Sequence, residues 1–367
     1  MSEYLICNAV SAYKEAPVSI DILKNSTSQV LEAIYSKKAK KNYIILDAEE
    51  KDIKSKIETE AKNYPDMDLN IIFVDGSFGF VYRNASAILK VIEGEKPIPS
   101  SAKENDAVCT VEMLLESEYK NVYVDGSIKN KGKFSLSKNI SPRELLETCG
   151  VNGIFKGMYL GYPMGVTIGE GDLENKLELS TDYIRIFDET DCILDQLKNI
   201  SKVYTRETCG RCVFGHEGVT QINMLLSDIS QKKGKSSDVA LLLDLCGEMK
   251  NQVLCGIDAT LATTVISAIS NFKEEIEEHI TKKVCKASAC SKFFTYHILA
   301  DKCIGCTECQ DVCEEDAILG KRKFIHVIDQ GECTQCGACL AACDEEAIVK
   351  AGPIKPRCPQ KPIPCKR

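Results

Sequence analysis

The sequence C-x2-C-x2-C-x3-C occurs twice, as CIGCTECQDVC (303 to 313) and as CTQCGACLAAC (333 to 343), with the second copy thirty residues after the first. Thiolates this close together cannot all stay buried and charged without a metal centre. Three of them wrap one corner of an iron–sulfur cube while the fourth points away to a neighbouring cube, so the two ligand sets cross. Carried onto this chain, one [4Fe-4S] cluster takes Cys303, Cys306, Cys309 and Cys343, and the other takes Cys333, Cys336, Cys339 and Cys313. Each run leads into a matching acidic-Ala-Ile segment, EEDAI and DEEAI. A short helix after each fourth cysteine, then a strand, is expected to recur with pseudo-twofold symmetry. A pair of zinc knuckles would use separate four-ligand sets, not two complete crossed runs.

Residues 301 to 350 resemble the bacterial two-cluster ferredoxin family. One departure is that the proline usual after the fourth cysteine is Glu314 in one half and Asp344 in the other, which relaxes a turn but removes no ligand. From Asp301 to Lys350 there are 11 acidic and 5 basic residues. Such a module favours a basic docking face. The segment from 351 to 367 has five basic residues, no acidic ones and five prolines, and reads as an extended arm. Cys358 and Cys365 on it are open to reading as ligands or as free thiols.

The other residues set the context. Of 20 cysteines, twelve fall after residue 284. In a reducing compartment that density points to metal ligands and not disulfides. The absence of a long apolar run and of a leader-like start reads as a cytoplasmic chain without a membrane span. A formal charge of −8 with no basic patch in the folded regions argues against nucleic acid.

Between 188 and 284 apolar residues recur at helical spacing. The stripes are Ile193, Leu194, Leu197, Ile200 and Val203; Val219, Ile222, Leu225, Leu226 and Ile229; Leu242, Leu243, Leu245 and Met249; and Leu261, Val265, Ile269, Phe272 and Ile276. Four stripes predict a four-helix bundle. ETCGRCVFGHEG (207 to 218) sits at the entrance to the second helix, and QVLCGIDAT (252 to 260) lies between the third and fourth. These residues resemble the cluster-binding helical domain of the NADH-oxidising flavoprotein subunit of respiratory complex I and of NAD-linked iron hydrogenases. By that resemblance Cys209, Cys212 and Cys255 are cluster ligands, but the third family cysteine is Gly215 here. The fourth iron then falls to His216, to Cys246, to water or to a partner; otherwise the centre is a [3Fe-4S] cluster or is lost.

The resemblance extends in both directions. Residues 124 to 165 are similar to the soluble-ligand-binding β-grasp domain that precedes the bundle in that family, with Ser141 capping a helix through Glu144. DETDCILDQL (188 to 197) matches the lead-in to the bundle. Cys285 and Cys290 lie where related hydrogenase subunits carry a two-cysteine linker. With Cys192 and His279, the resemblance implies a structural Cys3His zinc site. The competing reading puts His279 on the solvated face of EEIEEH.

Residues 1 to 118 alternate helix-like and strand-like stretches: an amphipathic run from Ile20 to Tyr35, a strand at 43 to 47, a charged helix, a strand at 69 to 74, then a helix into EGEKPIP. This is an α/β pattern. ILDAEEKD (45 to 52) and GFVYRNASAILKVIEGEKPIP (79 to 99) resemble segments of the family's flavin- and nucleotide-binding domain. The glycine-rich phosphate loop of that domain has no counterpart, and Asn84 and Ala85 stand where relatives carry paired glutamates, preceded by Arg83 in place of a glycine. These absences argue against FMN and NAD. No nucleophile elbow and no H-E-x-x-H motif replaces them. Cys7, Cys109 and Cys149 read as small apolar side chains.

The expected architecture is multidomain, α/β plus α. A degenerate α/β nucleotide-type domain (1 to 118) is followed by a β-grasp domain (119 to 187), a four-helix bundle (188 to 284), a cysteine-containing linker (285 to 300), a two-cluster ferredoxin fold (301 to 350) and a basic tail (351 to 367). The expected function is an iron–sulfur electron-transfer subunit of a multi-subunit oxidoreductase, joined to a nucleotide-oxidising or ferredoxin-using component and to a catalytic subunit. The alternatives are an NADH-oxidising flavoprotein subunit that retains FMN, and a scaffold whose amino-terminal domains only recruit an enzyme.

Overall fold

The computed structural model describes residues 3–100, 103, 105–115 and 117–365. Lys366 and Arg367 of the basic tail lie outside them. The chain divides into two compact units: Met1–Glu189, Leu197–Met224 and Val239–Phe272 make up the first, and Thr190–Gln196, Leu225–Asp238 and Lys273–Arg367 the second.

The first unit opens with strands β1 (Tyr4–Asn8), β2 (Lys41–Asp47), β3 (Leu69–Val74) and β4 (Val108–Thr110). They form a parallel sheet in the order β3-β2-β1-β4. Parallel strands are covered on both faces, which is why β1 and β2 read as nearly continuous apolar runs. Alternate residues separate the two faces. Leu5, Cys7, Ile44 and Leu46 pack with Leu23, Leu31, Ile34 and Ile57 on one side. Ile6 and Ile45 pack with Val74, Tyr82 and Ile88 on the other.

The connecting helices are α1 (Val18–Asn25), α2 (Thr27–Ser36), α3 (Ile53–Ala61) and α4 (Ala85–Ile92), and a short helix α5 (Val111–Leu114) follows β4. The single amphipathic run expected from Ile20 to Tyr35 is two helices. Ser26 leaves helical geometry at φ −130° and ψ 38°, and the Thr27 hydroxyl donates to the Leu23 carbonyl at 2.7 Å. The polar Asn25-Ser26-Thr27 triplet offers the backbone local partners that compete with a continuous helix. Cys7 and Cys109 sit opposite each other in register and are buried. Burial pushes Cys109 up to about 11, so this thiol stays neutral.

Next come β5 (Tyr119–Gly126), β6 (Gly132–Ser137), β7 (Asn139–Ile140), α6 (Pro142–Cys149), β8 (Phe155–Leu160), β9 (Val166–Gly169), β10 (Leu177–Glu178) and β11 (Tyr183–Asp188). Five of them make a mixed sheet in the order β6-β5-β11-β8-β9, with β5 and β11 parallel at its centre. Ser141 caps α6 in a reciprocal box: the Glu144 N–H donates to the Ser141 hydroxyl, and the Ser141 N–H to the Glu144 carboxylate. Gly126 has a φ of +105°, and a Cβ there would lie 2.0 Å from the Ile186 carbonyl oxygen, so the β5–β11 pairing requires glycine at this position.

Helices α7 (Ile193–Glu207), α8 (Val213–Ser230), α9 (Asp238–Gln252) and α10 (Ile257–Thr281) follow. Within the first unit Ser201 bonds Asn223, and Met249 packs on Gly218. The apolar face of α9 differs from the expected stripe. Leu242, Cys246 and Met249 are buried while Leu243 is exposed, because spacings of four and three keep one face whereas adjacent leucines cannot. Phe272 breaks α10 with φ −130° and ψ 29°.

The second unit contains β12 (Thr295–Ile298), α11 (Glu308–Asp311), β13 (Ile318–Leu319), β14 (Phe324–Ile325), β15 (Val327–Ile328), α12 (Ala338–Ala341), β16 (Ile348–Ala351) and β17 (Ile363–Pro364). β12 pairs with β16, β13 with β15, and β14 with β17. The thirty-residue repeat reaches the backbone. Gly305 and Gln335, Thr307 and Gly337, and Asp316 and Glu346 all have positive φ in matching pairs. The short helices lie before the fourth cysteines, not after them as expected. They span the third cysteines, Cys309 and Cys339, because the chain must turn there to aim consecutive thiols inward; the acidic segments after Cys313 and Cys343 are turns. The arm is docked through β17, where the Cys365 N–H donates to the Lys323 carbonyl at 2.9 Å.

Candidate metal centres

The second unit groups its cysteines across the repeat. Cys313, Cys333, Cys336 and Cys339 line one cavity of about 210 Å³, closed by Tyr296, Ile318 and Ile328. Cys303, Cys306, Cys309 and Cys343 line a second and tighter one with Ile298, Ile304 and Ile348. The fourth cysteine of each run therefore stands with the first three of the other. Burial and the neighbouring thiols push Cys309 up to about 12. A quartet of thiolates needs an iron–sulfur core to hold its charge there, and the donor set fits one. Cys358 and Cys365 line neither cavity.

His326, not anticipated from the sequence, is fully buried beside the second cavity, with its Nδ1 4.0 Å from the Cys303 sulfur. Its only sequence signal is its place midway between the two runs.

A second constellation in this unit joins distant segments. Cys192 Sγ lies 3.4 Å from His279 Nε2 and 3.6 Å from Cys290 Sγ, and Cys290 Sγ lies 3.7 Å from His279 Nε2. With Cys285, all four ligand atoms are buried within 4.8 Å of one another. A zinc ion with Zn–S near 2.3 Å and Zn–N near 2.0 Å gives tetrahedral edges of about 3.5–3.8 Å, so the donors fit zinc. His279 Nδ1 donates to the Glu275 carbonyl at 2.8 Å, which leaves Nε2 with its lone pair toward the sulfurs. The solvated alternative for His279 is overturned: the residue is 1% exposed. Hydrogen bonds from Cys192 and Cys290 hold Cys285 well below the usual thiol range, while their counterparts, with burial, drive Cys192 up.

In the first unit, Cys209 and Cys212 lie on the loop before α8, and Cys255 just before α10. Cys255 is buried, and the backbone N–H groups of Ile257 and Asp258 at the start of α10 favour its thiolate. Burial pushes it up to about 11, against those two N–H groups and together with the charges of Asp258 and Cys209. Three thiols and the start of a helix make a suitable seat for an anionic cluster. Cys246 belongs to the buried face of α9, whereas the His216 side chain, 55% exposed beside Glu217, acts electrostatically on Asp258.

A cleft of about 590 Å³ opens beside Cys255, lined by Asn8, Tyr82, Asn84, Lys103 and Asn105 among others. Arg83 pairs with Asp182 at 2.6 Å. Asn84 caps α4 by accepting the Ala87 N–H at 3.1 Å and donates its amide to the Cys255 carbonyl at 3.0 Å. The side chains of Arg83 and Asn84 are thus engaged within the protein.

Residues 195–279 match the family model of the NADH-ubiquinone oxidoreductase-F iron-sulfur binding region, and residues 270–348 match that of the 4Fe-4S dicluster domain. The chain carries an F-type iron–sulfur region joined to a dicluster ferredoxin domain. It is 29% identical over 215 residues to the HndC component of the NADP-reducing hydrogenase of Solidesulfovibrio fructosivorans, covering 55% of this chain and 44% of that protein. It is 26% identical over 181 residues to the F-type component of the NADH-quinone oxidoreductase of Streptomyces coelicolor, covering 44% and 39%. The chain thus spans less than half the length of these two relatives. A longer match, 25% over 340 residues and 76% of each chain, is to the corresponding NADH-quinone oxidoreductase component of Buchnera aphidicola from Acyrthosiphon pisum. The fold is similar to the crystal structure of an NAD+-reducing [NiFe]-hydrogenase in the H2-reduced state. That match has a TM-score of 0.69 at 16% identity, over 76% of this chain and 57% of that one. The F-type region contains Cys209, Cys212, Cys255 and His279, and the dicluster domain contains all eight cysteines of the two quartets. Among the described residues no helix is long and apolar enough to cross a membrane.

Proposed function

We propose that the chain is a cytoplasmic electron-transfer subunit that relays electrons within a multi-subunit oxidoreductase and has no NADH or FMN site of its own. The observation that carries this reading is the pair of crossed cysteine quartets, each gathered around its own cavity. Bound there, [4Fe-4S] clusters supply one-electron transfer at low reorganisation cost. The chain holds the sulfurs in place, excludes water with Ile298, Ile318, Ile328 and Ile348, and surrounds the site with acidic residues that select a basic partner face.

Cys209, Cys212 and Cys255 hold a third cluster in this reading, and Cys192, Cys285, Cys290 and His279 hold a structural zinc. The five-stranded sheet with α6 is the β-grasp domain, α7 to α10 the bundle, and the parallel sheet a nucleotide-type domain turned to docking. Partners are a nucleotide-oxidising or ferredoxin-using component and a catalytic subunit. The internal bonds of Arg83 and Asn84 support loss of the coenzyme site.

One observation favours a second reading, a flavoprotein subunit that retains FMN: the cleft beside Cys255 falls within the size range of small-molecule sites. Acid precipitation of anaerobically purified chain separates the two. An electron-transfer subunit without a coenzyme site leaves a supernatant without flavin fluorescence, and one flavin released per chain would establish the second reading.

A further inference from the structure

We propose that Asp258 is the fourth protein ligand of the centre held by Cys209, Cys212 and Cys255, its carboxylate replacing the thiolate missing at Gly215. The inference rests on those three cysteines binding a cluster, as proposed above.

The space beside Gly215 is already taken. A Cβ built on this glycine would lie 2.6 Å from Asp258 Oδ2 and 2.9 Å from the Cys212 sulfur. The Asp258 carboxylate therefore occupies the space in which a side chain at 215 would begin, directly beside a cluster cysteine. A side chain at 215 would have to displace the Asp258 carboxylate from this position, and glycine leaves it in place.

A second observation is independent of that space. Asp258 is 1% exposed. Its Oδ2 accepts the Thr208 hydroxyl at 2.9 Å, whereas Oδ1 is buried with no hydrogen-bond partner among the described residues. A buried carboxylate oxygen without a donor costs free energy that a native fold seldom tolerates, and coordination to a cation removes the cost. Both neighbours tie it to the same centre. Thr208 precedes Cys209, and Asp258 lies three residues after Cys255. The side chain is thus held by one ligand segment and belongs to another.

The chemistry follows from the donor. A carboxylate oxygen is harder than a thiolate, and soft thiolates are the better match for iron–sulfur clusters, so the iron at this corner is held more weakly than the other three. The corner is expected to lose its iron on mild oxidation while the ferredoxin clusters stay whole.

The test uses the full chain, purified anaerobically as wild type, Asp258→Ala, Asp258→Cys and Cys209→Ala, with iron quantified and electron paramagnetic resonance recorded on the samples as isolated, before any oxidant is added. The expected result is about twelve irons in the wild type without a three-iron signal, and about eleven in Asp258→Ala with that signal. Asp258→Cys should return to wild-type iron, which also shows that the site still folds. A silent Asp258→Ala with unchanged iron would overturn the proposal, and so would a three-iron signal in the anaerobic wild type. About eight irons in both wild type and Cys209→Ala would mean that the three cysteines hold no cluster, which is a separate failure of the underlying reading and takes Asp258 with it.

Discussion

Replacing Cys285 by serine is expected to release one zinc per chain and to lower the Tm of the second unit sharply. Four buried donors stand at zinc-like edges, and the proposed zinc would hold them together. Structural zinc in small domains is worth on the order of 10 kcal/mol of folding free energy at neutral pH, so removing one ligand changes far more than a packing contact. The ligands must shed their protons to bind, so acidification releases the metal and alkaline conditions retain it. Cys149→Ser is the matched control: it too is buried, with no thiol cluster around it, and should cost about 1–3 kcal/mol with zinc unchanged. Metal analysis and thermal melts of both variants check the prediction. A zinc-free wild type, or equal melts for the two variants, would contradict it.

Double substitutions expose the crossing of the two quartets. Cys303→Ala with Cys343→Ala strikes one cavity twice and should leave the other cluster intact. Cys303→Ala with Cys313→Ala strikes both cavities and should cost both clusters, although all its changes fall within one sequence run. Iron content and the spectrum of the reduced form distinguish them. If each run held its own cluster, the second pair would be the milder of the two.

The quartets were legible because cluster chemistry imposes a short, fixed spacing on its ligands, and a thirty-residue repeat shows it twice. The zinc constellation was not readable from spacing. Its members are brought together across 87 and 98 residues, so only the resemblance suggested them. Strand β2 was visible because burial on both faces leaves a run of apolar residues from Tyr43 to Leu46. The break at Ser26 and the outward Leu243 were hidden, since apolar periodicity does not register local polar competition or which of two adjacent leucines faces in. Asp258 was read only as part of the turn QVLCGIDAT (252 to 260), because a carboxylate beside a cysteine in sequence does not mark itself as a ligand. It stands out only once the fold sets it against Gly215.

The central claim is that this chain conducts electrons and does not take them from a nicotinamide coenzyme itself. Under anaerobic conditions the visible absorption of the purified full chain is expected to bleach with dithionite and to remain unchanged with excess NADH. Bleaching by NADH in the absence of any partner would show that the coenzyme site is intact and that the chain is a dehydrogenase subunit.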